Sequence, residues 1–94
     1  MPSFKVAHIR QQSVDLIIVP MSSAFGSISD SDQEAQIQEM ETRAHSAGLA
    51  GGVVPVWDSG GGRMKFRAPQ QWHPFFRSIS LSFVRRNINK EISW

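Results

Sequence analysis

The sequence predicts an α+β fold, a two-layer sandwich of element order ββαββα in which a small mixed sheet is covered by two helices. Four observations predict it. Residues 4–10 and 14–19 are short apolar-rich runs of strand length, and residues 31–48 carry a single stripe at helical spacing. Two further strand-like runs flank an Asp-Ser-Gly-Gly-Gly turn, and the segment after Pro74 contains neither Gly nor Pro. At 94 residues, with 40% apolar and 19% charged side chains, the chain fits one globular domain.

The elements follow in order. Phe4, Val6 and His8 alternate with Lys5, Ala7 and Ile9, which gives a first strand with distinct faces. Gln11-Gln12-Ser13 is a polar break. Val14-Asp-Leu-Ile-Ile-Val19 is β-branched and apolar on both faces after Asp15, the pattern of a strand inside a sheet covered on both sides, or paired in a dimer. Pro20 ends it. Residues 21–29 lack periodicity and read as a loop.

Ser29, Asp30 or Ser31 can accept hydrogen bonds from the first amides of a helix, and Ser31 with Glu34 has capping-box spacing. Ile37, Met40, Ala44 and Ala47 then form the buried stripe, and Gly48 supplies a left-handed stop. Val53-Val-Pro-Val-Trp57 is a third strand, with an edge or bulge expected at Pro55, which has no N–H to donate. Arg63-Met-Lys-Phe-Arg-Ala68 alternates as a fourth strand that Pro69 closes. In the last third, Ser78-Ile-Ser-Leu-Ser-Phe83 alternates like a strand. Leu81, Val84, Ile88 and Ile92 nevertheless fall at helical spacing, so the length of the segment predicts a helix over 74–91, with a break near 78–82.

Several function classes drop out. The chain has no cysteine, which excludes a disulfide framework, a thiolate zinc site and a cysteine nucleophile. Its amino terminus lacks a basic start followed by an apolar stretch, and its longest apolar run is too short to span a bilayer. These features predict a cytoplasmic protein with no membrane association. Gly60-Gly-Gly-Arg-Met-Lys lacks the spacing and the hydroxyl of a nucleoside-triphosphate loop, and a strand follows it where a dinucleotide fingerprint needs a helix. It reads as a hairpin loop needing positive φ, with an anion held by its amides and Arg63 as the rival. No cofactor is implied. The three histidines, His8, His45 and His73, have no metal-ligand spacing.

Charge is the distinctive signal. Residues 1–50 hold three basic and six acidic side chains, and residues 51–94 hold seven basic and two acidic. Between Arg63 and Lys90 there is no acidic residue at all. Strand alternation places Arg63, Lys65 and Arg67 on one face and Met64, Phe66 and Ala68 on the other. Such a cationic row is a solvated, edge-protecting face, or it meets acidic groups or phosphates. Arg85, Arg86 and Lys90 extend the basic content into the last segment.

Trp72, Phe75 and Phe76 are expected to seal sheet against helix, and Trp57 and Trp94 to anchor packing or a dimer interface. The leading expectation is a binding or accessory module with a protein partner, or a homodimer. A nucleic-acid-binding protein using Arg63, Lys65, Arg67, Arg85, Arg86 and Lys90 is the first rival. A small enzyme centred on Asp58 and His73, with Ser59 and Arg63 nearby, is the second; no motif places its nucleophile.

Overall fold

The computed structural model describes residues 3–93. Its elements are β1 (Ser3–Gln11), β2 (Val14–Pro20), α1 (Asp30–Ser46), β3 (Gly52–Asp58), β4 (Met64–Phe66), α2 (His73–Arg77), α3 (Leu81–Arg86) and β5 (Lys90–Ser93), with 3-10 turns at Ser23–Ser27 and Gln70–Trp72. The strands form one mixed sheet in the order β4-β3-β2-β1-β5. β2 and β3 run parallel, joined through α1, and the other neighbours are antiparallel. The chain is therefore a small α+β domain, as expected.

β2 explains the layering. Ile17 and Val19 join a core with Ile37, Met40 and Ala44 of α1, whereas Leu16 and Ile18 join Phe76, Leu81 and Val84 of α2 and α3. The strand is apolar on both faces because each face has its own helical cover. The helices thus lie on both sides of the sheet, where two layers were expected.

α1 begins at Asp30, with the Ser29 hydroxyl accepting from the Asp32 amide at 3.2 Å. Its end is a left-handed cap: Gly48 has φ +87°, and the Leu49 amide reaches back to the Ala44 carbonyl at 2.9 Å.

Pro55 does not mark an edge, because β3 lies between β2 and β4. The Pro55 carbonyl accepts from the Arg67 amide at 3.1 Å, just past the last β4 residue. The missing N–H therefore falls where the ladder already ends, at little cost.

The largest departure is in the last third. The helix expected over 74–91 is two short helices and a strand. Ser80 Oγ accepts from the Phe83 amide at 3.3 Å and starts α3 afresh. Asn87 ends it, its side chain donating to the Phe83 carbonyl at 2.7 Å. Serine and asparagine side chains offer the backbone local partners that compete with a continuous helix. β5 then pairs with the first half of β1, Ser3 opposite Ser93 and Val6 opposite Lys90. The apparent stripe splits accordingly: Leu81 and Val84 enter the α3-side core, and Ile92 enters the α1-side core.

The aromatic seal forms as its composition suggests. Phe76 is fully buried, and its ring lies 5.3 Å from Phe66 and 5.1 Å from Phe75. Trp94 lies outside the described residues. Among the described residues, no helix is long and apolar enough to cross a membrane.

Candidate functional site

Met64 and Phe66 pack into the α2–α3 core, so Lys65 and Arg67 project to the α1 face of the sheet. Their environments differ. Arg67 turns toward the first turn of α1, where its guanidinium pairs with Asp30 and donates to Glu34 and to Gln33, each at 3.1 Å. The hydrogen bond from Arg67, reinforced by its charge, holds the Asp30 carboxyl below the usual carboxylate range. Lys65, two residues away, is exposed and has no ion-pair partner among the described residues.

The six cations singled out from sequence do not share one surface. Arg63 and Lys65 stand at the β4 edge, and Lys90 stands on β5 at the opposite edge. Three strands intervene, which at strand spacing puts these edges about 19 Å apart. Arg85 and Arg86 are exposed on α3, over the other face. Arg77, exposed on α2, belongs with that pair and was not singled out from sequence.

What the structure gathers is charge by layer. α1 carries Asp30, Asp32, Glu34, Glu39 and Glu41 against Arg43, which pairs with Glu39 at 3.3 Å. The α2–α3 layer, residues 70–86, carries Arg77, Arg85 and Arg86 and no acidic residue. The sheet separates an acidic helical face from a basic one.

The Asp58–His73 neighbourhood has local structural duties. Asp58 Oδ1 accepts from the Gly60 amide at 2.7 Å, and the Ser59 amide and hydroxyl donate to the Arg63 carbonyl at 2.8 and 3.2 Å. Gly60, Gly61 and Gly62 all have positive φ, so this is a hairpin loop closed by its own side chains. His73 Nε2 lies 3.0 Å from the Ala68 carbonyl, and its ring meets Phe66 edge-on at 5.3 Å. His8 and His45 likewise hold the carbonyls of Ala50 and Gly51, at 3.0 and 2.8 Å. No cluster of metal-ligating side chains occurs among the described residues.

A concave feature lies beside the hairpin. The 3-10 turn Ser23–Ser27 and the segment from Trp57 to Gly60 enclose an open cleft of about 580 Å³, with Lys65 on its wall. It sits past the carboxyl ends of the parallel strands β2 and β3, where the loops of α/β units commonly form ligand sites. Trp57 lines it, its ring edge-on to Phe25 at 5.1 Å. Gly26 lies so close that a Cβ there would collide with the indole nitrogen. Sequence reasoning passed over this loop because it has no periodicity; the available signal was its place between two strands joined through a helix.

Comparison with protein-family models, with curated proteins and with solved structures found no match.

Proposed function

We propose that the protein is a non-catalytic binding module that works through protein–protein contact, including contact with further copies of itself. The observation that carries this reading is the separation of an acidic helical face from a basic one by a single sheet. Opposite signs on opposite faces make one copy complementary to the next, head to tail. Such heterologous contacts do not close on themselves after two copies, so the expected product is a weak, open-ended series. Its affinity depends on salt, because exposed charges are screened beyond about 10 Å at 0.1 M ionic strength.

Sedimentation velocity at two protein concentrations and two salt concentrations tests this. The sedimentation coefficient is expected to rise with concentration at low salt and to fall back at moderate salt. The double variant Arg85→Glu/Arg86→Glu is expected to remain monomeric. A wild-type monomer under every condition removes self-association.

Nucleic-acid binding is the second reading, favoured by the seven basic and no acidic residues over 59–90. Phosphate contacts by Arg77, Arg85 and Arg86 would make affinity fall steeply with salt. An electrophoretic shift with mixed DNA and RNA decides it. Absence of a salt-sensitive shift at micromolar protein eliminates this reading.

A further inference from the structure

We infer that the free edge of β4 docks an extended segment of a partner protein in which acidic and apolar side chains alternate. The edge is separate from the charged helical faces, and the inference rests only on reading the domain as a protein-binding module.

The backbone sets which groups are free. The Ser59 amide donates to the Arg63 carbonyl and the Arg67 amide to the Pro55 carbonyl, so Arg63, Lys65 and Arg67 turn their backbone polar groups toward β3. Met64 and Phe66 turn theirs the other way. β4 is the last strand on its side of the sheet, so the N–H and C=O groups of Met64 and Phe66 face outward with no strand to meet them among the described residues. The next carbonyl along that edge, Ala68, is already 3.0 Å from His73 Nε2, which bounds the open stretch. Such a row of unpaired groups is a template for one more strand.

The side chains select the occupant. Residues opposite one another in a ladder share a face of the sheet. On one face an added strand meets Met64 and Phe66, both half-buried against the α2–α3 core. On the other it meets Arg63 and Lys65, which are exposed and have no ion-pair partner among the described residues. Arg67, the third cation of the row, is held by the carboxylates of Asp30 and Glu34. The row thus takes carboxylates where the fold supplies them, and an incoming strand supplies the rest. Apolar residues on one face and acidic residues on the other make a period-two alternation.

A second copy does not meet this requirement. Its β4 would set cation against cation in any register that keeps the apolar residues together, and like charges directly opposite destabilise a ladder. Its β5, Lys-Glu-Ile-Ser, has Ile92 in its own core and Glu91 as its single acidic residue. The occupant therefore belongs to another protein.

The test is a ¹H–¹⁵N titration of the full chain with a capped heptapeptide alternating glutamate and valine. Saturable shifts centred on the Met64 and Phe66 amides are expected, with slower hydrogen exchange at both. Lys65→Glu should weaken binding about fivefold or more, whereas Lys90→Glu, at the opposite sheet edge, should change it by less than about twofold. Both lysines are exposed, so both variants should fold. Arg85→Glu/Arg86→Glu should bind the peptide like wild type, so loss of self-association and loss of peptide binding are read separately. No saturable shift at Met64 and Phe66 up to about 5 mM peptide overturns the docking edge. Equal binding of a lysine–valine heptapeptide overturns the acidic assignment. Equal binding of a peptide with the same glutamates and valines in two blocks overturns the added strand, since that is charge attraction alone. Shifts at Met64 and Phe66 that grow with protein concentration in the absence of peptide assign the edge to a second copy and overturn the partner.

Discussion

The β1–β2 hairpin offers a measurement in which two opposing terms can be weighed in advance. Gln11 pairs with Val14, so Gln12 and Ser13 alone make the turn, with φ of +51° and +65°. Positive φ at both central positions is the type I′ geometry that Asn-Gly normally supplies. For a residue with a Cβ, the left-handed region costs about 1–2 kcal/mol. Glycine at position 13 removes that strain but adds about 0.5–1 kcal/mol of unfolded-state entropy. The net gain is about 0.5–1 kcal/mol, and asparagine at position 12, which tolerates the left-handed region, adds about 0.3 kcal/mol.

The double variant Gln12→Asn/Ser13→Gly should thus be about 1 kcal/mol more stable, raising Tm by about 4–8 °C for a chain of this size. Thermal and urea unfolding followed by circular dichroism measure it, with an unchanged urea dependence showing that the denatured state is unaltered. Gly48→Ala supplies the opposite sign. Gly48 has φ +87° and open space around its missing Cβ, so only backbone strain is added, at about 1 kcal/mol. A double variant no more stable than wild type, beside a destabilised Gly48→Ala, would refute the turn geometry.

Two further outcomes follow from the packing and from Arg67. Ile92 is 1% exposed in the α1-side core, so Ile92→Ala should cost about 2–5 kcal/mol in urea unfolding. A loss below about 0.5 kcal/mol would instead match a residue beyond a frayed helix end, and would remove β5. Arg67 lowers the Asp30 pKa in the folded state, so the pair stabilises above the unfolded carboxylate pKa and this stability is lost as pH falls through the depressed folded value. Arg67→Ala should therefore unfold at lower urea than wild type at pH 7. The gap between the two should narrow as pH falls from about 5 to below 3; a gap independent of pH would assign the role of Arg67 to packing.

Where the sequence was legible, local chemistry sufficed. Alternation in Phe4–Ile9 and Met64–Phe66, the caps Ser29 and Gly48, and the stop at Pro20 each act within a few residues of themselves. The last third was not legible for the converse reason. Leu81, Val84, Ile88 and Ile92 satisfy helical spacing, yet Ser80 and Asn87 divide the segment, and β5 exists because β1, more than eighty residues earlier, offers it an edge.

The candidate site divides in the same way. The alternating cations were visible in the sequence, but α1 takes Arg67 across 37 residues, whereas Lys65 has no ion-pair partner among the described residues. The cleft has walls from residues 23–27, 57–60 and 65, a juxtaposition created by the parallel pairing of β2 with β3 and the antiparallel pairing of β3 with β4.

The β1–β5 pairing also bears on how this domain can be wired into other proteins. With Ser3 opposite Ser93, the first and last described residues are neighbours in the sheet, about 5 Å apart between Cα atoms. Such a unit can be spliced into a surface loop of a host protein without prising the host apart, or its ends can be joined and new ones opened at the Gly60–Gly62 tip. The antiparallel pairing of β1 with β5 thus ties the two ends of the described chain together, so a covalent link between them should leave the sheet order intact.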